Sequence, residues 1–114
     1  MPHFIIDCSE NVLKSISEEE VIEQVHLTAN STGLFDEGDI KVRIKSFESY
    51  SVGNTKEDFI HVFGNIMEGR TTEQKADLSK KIVQKLFSIF PDVPYIAINI
   101  REFENATYFN RNML

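Results

Sequence analysis

The feature that most constrains this chain is a strand–helix–strand order that occurs twice. Ser17 followed by Glu20, and Thr71 followed by Gln74, are two capping boxes. Each stands between runs with β character. Residues 2–8 (PHFIIDC) are short, apolar and rich in β-formers, which predicts a strand. The first box opens a predicted helix over 18–30, with Val21, Ile22, Val25 and Ala29 as its apolar stripe. Ile16 and Val21 are spaced as a hydrophobic staple, and Gly33 is a stop signal. From 40 to about 50 the chain alternates: Ile40, Val42 and Ile44 face one way, Lys41, Arg43 and Lys45 the other. Gly53-Asn54 marks a turn, and 58–66 (DFIHVFGNI) is a third strand. The second box opens a helix over 72–90. Its core stripe is Leu78, Ile82, Leu86 and Ile89, flanked by Val83, Phe87 and Phe90. Pro91 and Pro94 end it, and 96–103 (IAINIREF) is the fourth strand.

The predicted architecture is α+β: two β-α-β units forming a four-stranded sheet with two helices on one face. Each crossover is long enough to join parallel strands. The halves, about 2–51 and 58–103, read as similar units of one domain spanning 1–114. The length of 114 residues fits one domain, which buries only about two-thirds of the surface of its unfolded chain. Two helices cover one face of the sheet and leave the other bare. Assembly into a trimer or higher oligomer is therefore expected. The tail after residue 103 mixes Asn with Tyr108, Phe109, Met113 and Leu114, and it too needs a docking place, such as a neighbouring subunit.

Charge narrows the partners. Twelve Lys+Arg against eighteen Asp+Glu give −6, which argues against a general nucleic-acid or anionic-membrane binder. It does not exclude a small di- or tricarboxylate, because Lys41, Arg43, Lys45 and Arg70 can converge while acid gathers on one helix at Glu18, Glu19, Glu20 and Glu23. The single cysteine, Cys8, can form no disulfide within the chain and reads as a small buried hydrophobe. No run approaches 18 apolar residues, and the N-terminus lacks a basic region and meets Asp7 early. A cytoplasmic location is expected.

Familiar catalytic motifs are absent: no phosphate-binding glycine loop, no G-x-S-x-G, no HExxH. His3, His26 and His61 are not at metal-ligand spacing and read as structural or surface residues. Asn105-Ala106-Thr107 matches a glycosylation acceptor without meaning in a cytoplasmic chain. Two features are less ordinary. Met1-Pro2 precedes the first strand; removal of Met1 would expose a proline secondary amine at the strand's edge. Met67–Lys75 (MEGRTTEQK) places Arg70 between a glycine turn and a capped helix, a local positive site suited to a carboxylate.

These two features carry a resemblance. MEGRTTEQK is similar to the helix-entry motif of 4-oxalocrotonate tautomerase, and Met1-Pro2-His3-Phe4-Ile5 to the opening of tautomerase-superfamily chains. Over nearly its whole length the chain resembles 5-carboxymethyl-2-hydroxymuconate isomerases. The supporting pieces are MPHFIIDCSEN, TGLF at 32–35, the strand at 40–43 and the Asn-rich aromatic end Phe109-Asn110-Arg111-Asn112. The resemblance implies a cofactor-free homotrimer. In it the proline nitrogen is a general base, and arginines bind substrate carboxylates and polarise the carbonyl. By position Pro2 matches the base and Arg70 a carboxylate-binding arginine. The isomerases carry arginine where this chain has Lys41, with a second arginine matching Arg43. A lysine is a point charge without the bidentate fork. Lys41 and Arg43 share one strand face, so either can serve.

The physical chemistry agrees. A base must be neutral at working pH, and an α-amino group in water titrates near 7.7–8.0. Burial and nearby cations both lower that value. Phe4, Ile5 and the aromatic tail can supply the first, and Arg70, Lys41 and Arg43 the second. The implied substrate is a small anionic enol or keto acid of the 2-hydroxymuconate type, from aromatic-acid breakdown. Two alternatives stand beside it. One is another enol acid such as phenylenolpyruvate, favoured by macrophage migration inhibitory factor, whose C-x-x-C pair this chain lacks. The other is a non-catalytic oligomeric binding module should Met1 be retained, since an amide nitrogen on Pro2 is no base.

Overall fold

A computed structural model describes residues 1–114. Its strands are β1 (His3–Ser9), β2 (Lys41–Phe47), β3 (Phe59–Met67) and β4 (Tyr95–Phe103); its long helices are α1 (Glu18–Ser31) and α2 (Thr72–Ile89). The sheet order is β2-β1-β3-β4. β1 and β2 pair in parallel around α1, β3 and β4 in parallel around α2, and β1 meets β3 antiparallel at the centre. The two β-α-β units and the mixed four-stranded sheet are thus as expected.

Both capping boxes sit where the sequence puts them, though only the second is complete. Thr71 Oγ1 accepts from Gln74 N at 3.1 Å, and Gln74 Oε1 accepts from Thr71 N at 2.9 Å. Ser17 Oγ accepts from Glu20 N at 3.2 Å, but Glu20 instead accepts from Gln24 Nε2 at 3.1 Å. Boundaries shift by a residue or so at several ends. The larger differences are at β2, which stops at Phe47 rather than 50, and at Glu10–Lys14, a 3-10 turn that periodicity does not reveal. That turn is held by Asp58. Its two oxygens accept from Ser9 Oγ and Asn11 Nδ2, each at 2.9 Å, and Ser9 Oγ also accepts from Phe59 N at 3.2 Å.

The core lies between the sheet and the helices. Phe4, Ile6 and Cys8 of β1 alternate with Ile60, Val62 and Ile66 of β3 under Val21, Val25 and Ala29 of α1 and Leu78, Ile82 and Leu86 of α2, all buried. Gly64 lets Phe4 and Ile100 close over it: a Cβ there would lie 2.6 Å from Ile100 Cδ1 and 3.2 Å from Phe4 Cε1. Phe87, placed among the core flank by its spacing, is 59% exposed, because it falls on the solvent side of α2. The four acids at the start of α1 form a solvated face.

The opposite face of the sheet has no cover within the chain. By register it carries the rows Lys41–His3–Asn65–Arg101 and Arg43–Ile5–Phe63–Asn99. Phe63 at 42% and Tyr95 at 52% remain exposed there. The tail forms two short 3-10 turns, Asn105–Thr107 and Arg111–Met113, and leaves Phe109, Met113 and Leu114 exposed. Within the single chain these three side chains build no apolar wall around Pro2. No helix is long and apolar enough to cross a membrane.

Candidate active site

Strand direction gathers the candidate residues. β1 and β2 both begin, and β3 ends, at one end of the sheet, so Pro2, Lys41 and the Met67–Arg70 turn lie at that end. Pro2 is buried and joins β2 through its carbonyl, which accepts from Lys41 N at 3.1 Å. The loop between α1 and β2 arrives at the same end and brings Phe35. The Phe4 and Phe35 rings meet edge-on at 6.1 Å, and the Arg70 guanidinium lies 5.0 Å above the Phe35 ring. A packed chain thus runs from Phe4, two residues after Pro2, through Phe35 to Arg70.

Arg70 is held more firmly than a surface arginine would be. Its Nη2 donates to Leu34 O at 2.6 Å and its Nη1 to Met67 O at 3.3 Å. Gly69, at φ +119°, makes the turn that brings the side chain back over this loop, a conformation other residues adopt only with strain. A guanidinium has five N–H donors, so three remain. They border an open cleft of about 330 Å³ lined by Gly33, Leu34, Glu68, Gly69, Arg70 and Gln74. The helix N-terminus itself offers less than the sequence suggests. The capping box already occupies the amides of Thr71 and Gln74, and Glu68 brings a carboxylate to the cleft wall.

Lys41 and Arg43 share the open face as expected, but their heads differ. Lys41 Nζ donates to Asp39 O at 2.9 Å, at the Pro2 end. Arg43 Nη1 contacts His3 Nδ1 at 3.0 Å. The Met1 amino group, one residue before Pro2, has a pKa below the ordinary 8.0. Burial is the main cause, followed by the Lys41 charge and its hydrogen bond, with Asp39 pulling the other way. Lys41 is therefore the cation that acts on the Met1 amine. Arg70 and Arg43, named as further sources in the sequence reading, are not among the causes.

Three contributors escaped the sequence reading: Phe35, Asp39 and His3. The first two lie in the 32–40 loop, and TGLF was visible as a motif without showing which ring would stack. His3 reads as a structural histidine because the pairing that brings Arg43 to it spans forty residues. The other histidines fit the bland reading. His26 contacts Glu37 at 2.9 Å, and His61 contacts Asn99 at 2.8 Å. No group of three or more His, Cys, Asp or Glu residues could hold a metal ion.

The fold defines a class, the tautomerase-like chains built from β-α-β units. A 5-carboxymethyl-2-hydroxymuconate isomerase from Deinococcus radiodurans R1 superposes with a TM-score of 0.83 at 18% identity, over 96% of this chain and 88% of that one. A fused 4-OT asymmetric trimer superposes at 0.75 and 12% identity, over 96% and 92%. The 5-carboxymethyl-2-hydroxymuconate isomerase family model matches residues 2–114, and the chain belongs to that family of isomerases. A 5-carboxymethyl-2-hydroxymuconate Delta-isomerase of Escherichia coli is 24% identical over 119 residues, covering 98% of this chain and 94% of that protein.

Proposed function

We propose that this isomerase acts as a 5-carboxymethyl-2-hydroxymuconate delta-isomerase-type tautomerase whose base is the Pro2 nitrogen, freed by removal of Met1. The substrate is a 2-hydroxymuconate-type di- or tricarboxylate from aromatic-acid breakdown. The observation that carries this reading is the setting of Pro2: it is buried at the end of the sheet that also holds Lys41 and Arg70, and the Met1 amino group next to it is held below its ordinary pKa, in part by Lys41. A freed Pro2 amine in this setting is neutral over more of the working range and is a more effective base there.

In the reaction the proline lone pair takes the proton from the dienol oxygen. The oxygen's electrons form the carbonyl, the double bonds shift, and the prolinium returns the proton to carbon. Atoms and charge balance with no oxidant, so no cofactor is required. Arg70, through its three remaining donors, binds a carboxylate. Lys41 or Arg43 stabilises negative charge as it develops on the oxygen. The bare sheet face and exposed tail, with the trimeric state of the fused 4-OT neighbour, support a homotrimer.

The test is ketonisation of 2-hydroxymuconate followed by absorbance. Pro2→Ala is expected to lose about 10²-fold or more, the usual worth of a positioned general base. Unchanged turnover in Pro2→Ala would sink the mechanism, and a wild type without turnover would leave the binding-module reading.

A further inference from the structure

Arg43 pairs in register with Ile5, yet its guanidinium reaches His3, one side-chain step closer to Pro2 on the same face of β1. The side chain therefore leans along the sheet toward the amine. An arginine has no acceptor, so the 3.0 Å contact requires His3 Nδ1 to accept and the ring to be neutral, with its proton on Nε2. We propose that His3 is a positioning residue for Arg43, holding its guanidinium toward Pro2 for the substrate's second carboxylate, and that protonation of the His3 ring releases it.

The surroundings favour the neutral ring. On β2, His3 faces Lys41 and Arg43; on β3 it faces Asn65, with uncharged Phe63 and Met67 on the diagonals. The amino group is the remaining charged neighbour before the strand, and Asp7 is two face positions further along β1. Burial first, then Arg43, the amino group and Lys41, all lower the His3 pKa from its ordinary 6.5. Release of Arg43 therefore belongs to the acid side of that value. This arrangement divides the labour between the two basic residues of β2: Lys41 acts on the amine, and Arg43, set by His3, acts on the substrate.

This inference rests on the tautomerase reading, so its test has two arms. The first follows the His3 ring by NMR titration. Arg43→Gln should raise the His3 pKa; an unchanged value means that the pair does not form, and overturns the proposal. The second is steady-state kinetics on 2-hydroxymuconate. His3→Leu removes the acceptor and should raise KM about tenfold, the scale of one hydrogen bond to a charged group, with kcat within about twofold. His3→Asn keeps an acceptor oxygen at the Nδ1 position but cannot titrate. It should retain the wild-type KM above pH 7 and lack the rise in KM expected of the wild type on the acid side of about 6.5. A wild-type KM in His3→Leu, or an unaltered acid limb in His3→Asn, overturns the proposal while the tautomerase reading stands. A wild type with no turnover sinks both.

Discussion

Arg70 is a clasp as well as a candidate ligand, and its replacement should show both roles. The guanidinium ties the 32–40 loop to the turn after β3 through Leu34 O and Met67 O, and it stacks on Phe35. A hydrogen bond to a charged group contributes about 1.5–3 kcal/mol when well desolvated. The side chain is only half-buried and the 3.3 Å bond is long, so about 1–2 kcal/mol for the two together is reasonable. The stacked cation adds about 0.5–1 kcal/mol. Arg70→Ala should therefore cost roughly 1.5–3 kcal/mol, which for a domain of this length lowers the melting temperature by about 6–13 °C. Arg70→Lys keeps a charge and reaches one carbonyl at best, so it should fall between. Thermal unfolding followed by circular dichroism, at fixed protein concentration, measures both. An Arg70→Ala protein that melts with the wild type would refute the clasp, and any loss of turnover would then be assigned to substrate contact alone. If the clasp holds, Arg70→Ala loses turnover partly because Phe35 and Phe4 loosen beside Pro2.

Three further outcomes follow from the same geometry. Gly64→Ala should destabilise by about 1–3 kcal/mol, because the new methyl must displace Ile100 and press on the Phe4 ring; denaturant unfolding with an unchanged midpoint would contradict that packing. Cys8 is buried and its thiol is pushed up to about 11, with desolvation the main cause, so the native protein should resist a thiol reagent at pH 8 and react once unfolded. Lys41→Ala should move the rising limb of kcat/KM to higher pH. Lys41 lowers the pKa of the Met1 amine, and the same charge beside a freed Pro2 amine acts in the same direction; the base works only when deprotonated, so removing the charge makes more alkaline conditions necessary. A limb that stays in place or moves to lower pH would show that Lys41 does not act on the base.

Much of this was legible in the residues because local rules agree with the global fold. Capping boxes, alternation over Ile40–Lys45 and the stripe Leu78–Ile82–Leu86 each point to elements that the structure contains. The two-fold strand–helix–strand order then leaves few topologies. The candidate site was legible only as a list of candidates, since Pro2, Arg70, Lys41 and Arg43 are marked by type and by motif, but the partners of each were not. Arg70 reaches Leu34 across thirty-six residues and Arg43 reaches His3 across forty. Such pairings depend on how strands register and loops close, and no local pattern encodes them. Phe87 shows the converse limit: helical spacing placed it at the edge of the stripe, and only packing decided that it faces solvent.

The central claim is that the Pro2 nitrogen is the base, and the most direct test compares the two N-terminal forms of the protein. Preparations are assigned by intact mass as beginning at Pro2 or retaining Met1, then assayed for ketonisation of 2-hydroxymuconate under the same conditions. The form beginning at Pro2 should carry the activity, and the Met1-bearing form should be inactive, because its proline nitrogen is an amide. Equal turnover by the Met1-bearing form would contradict the account.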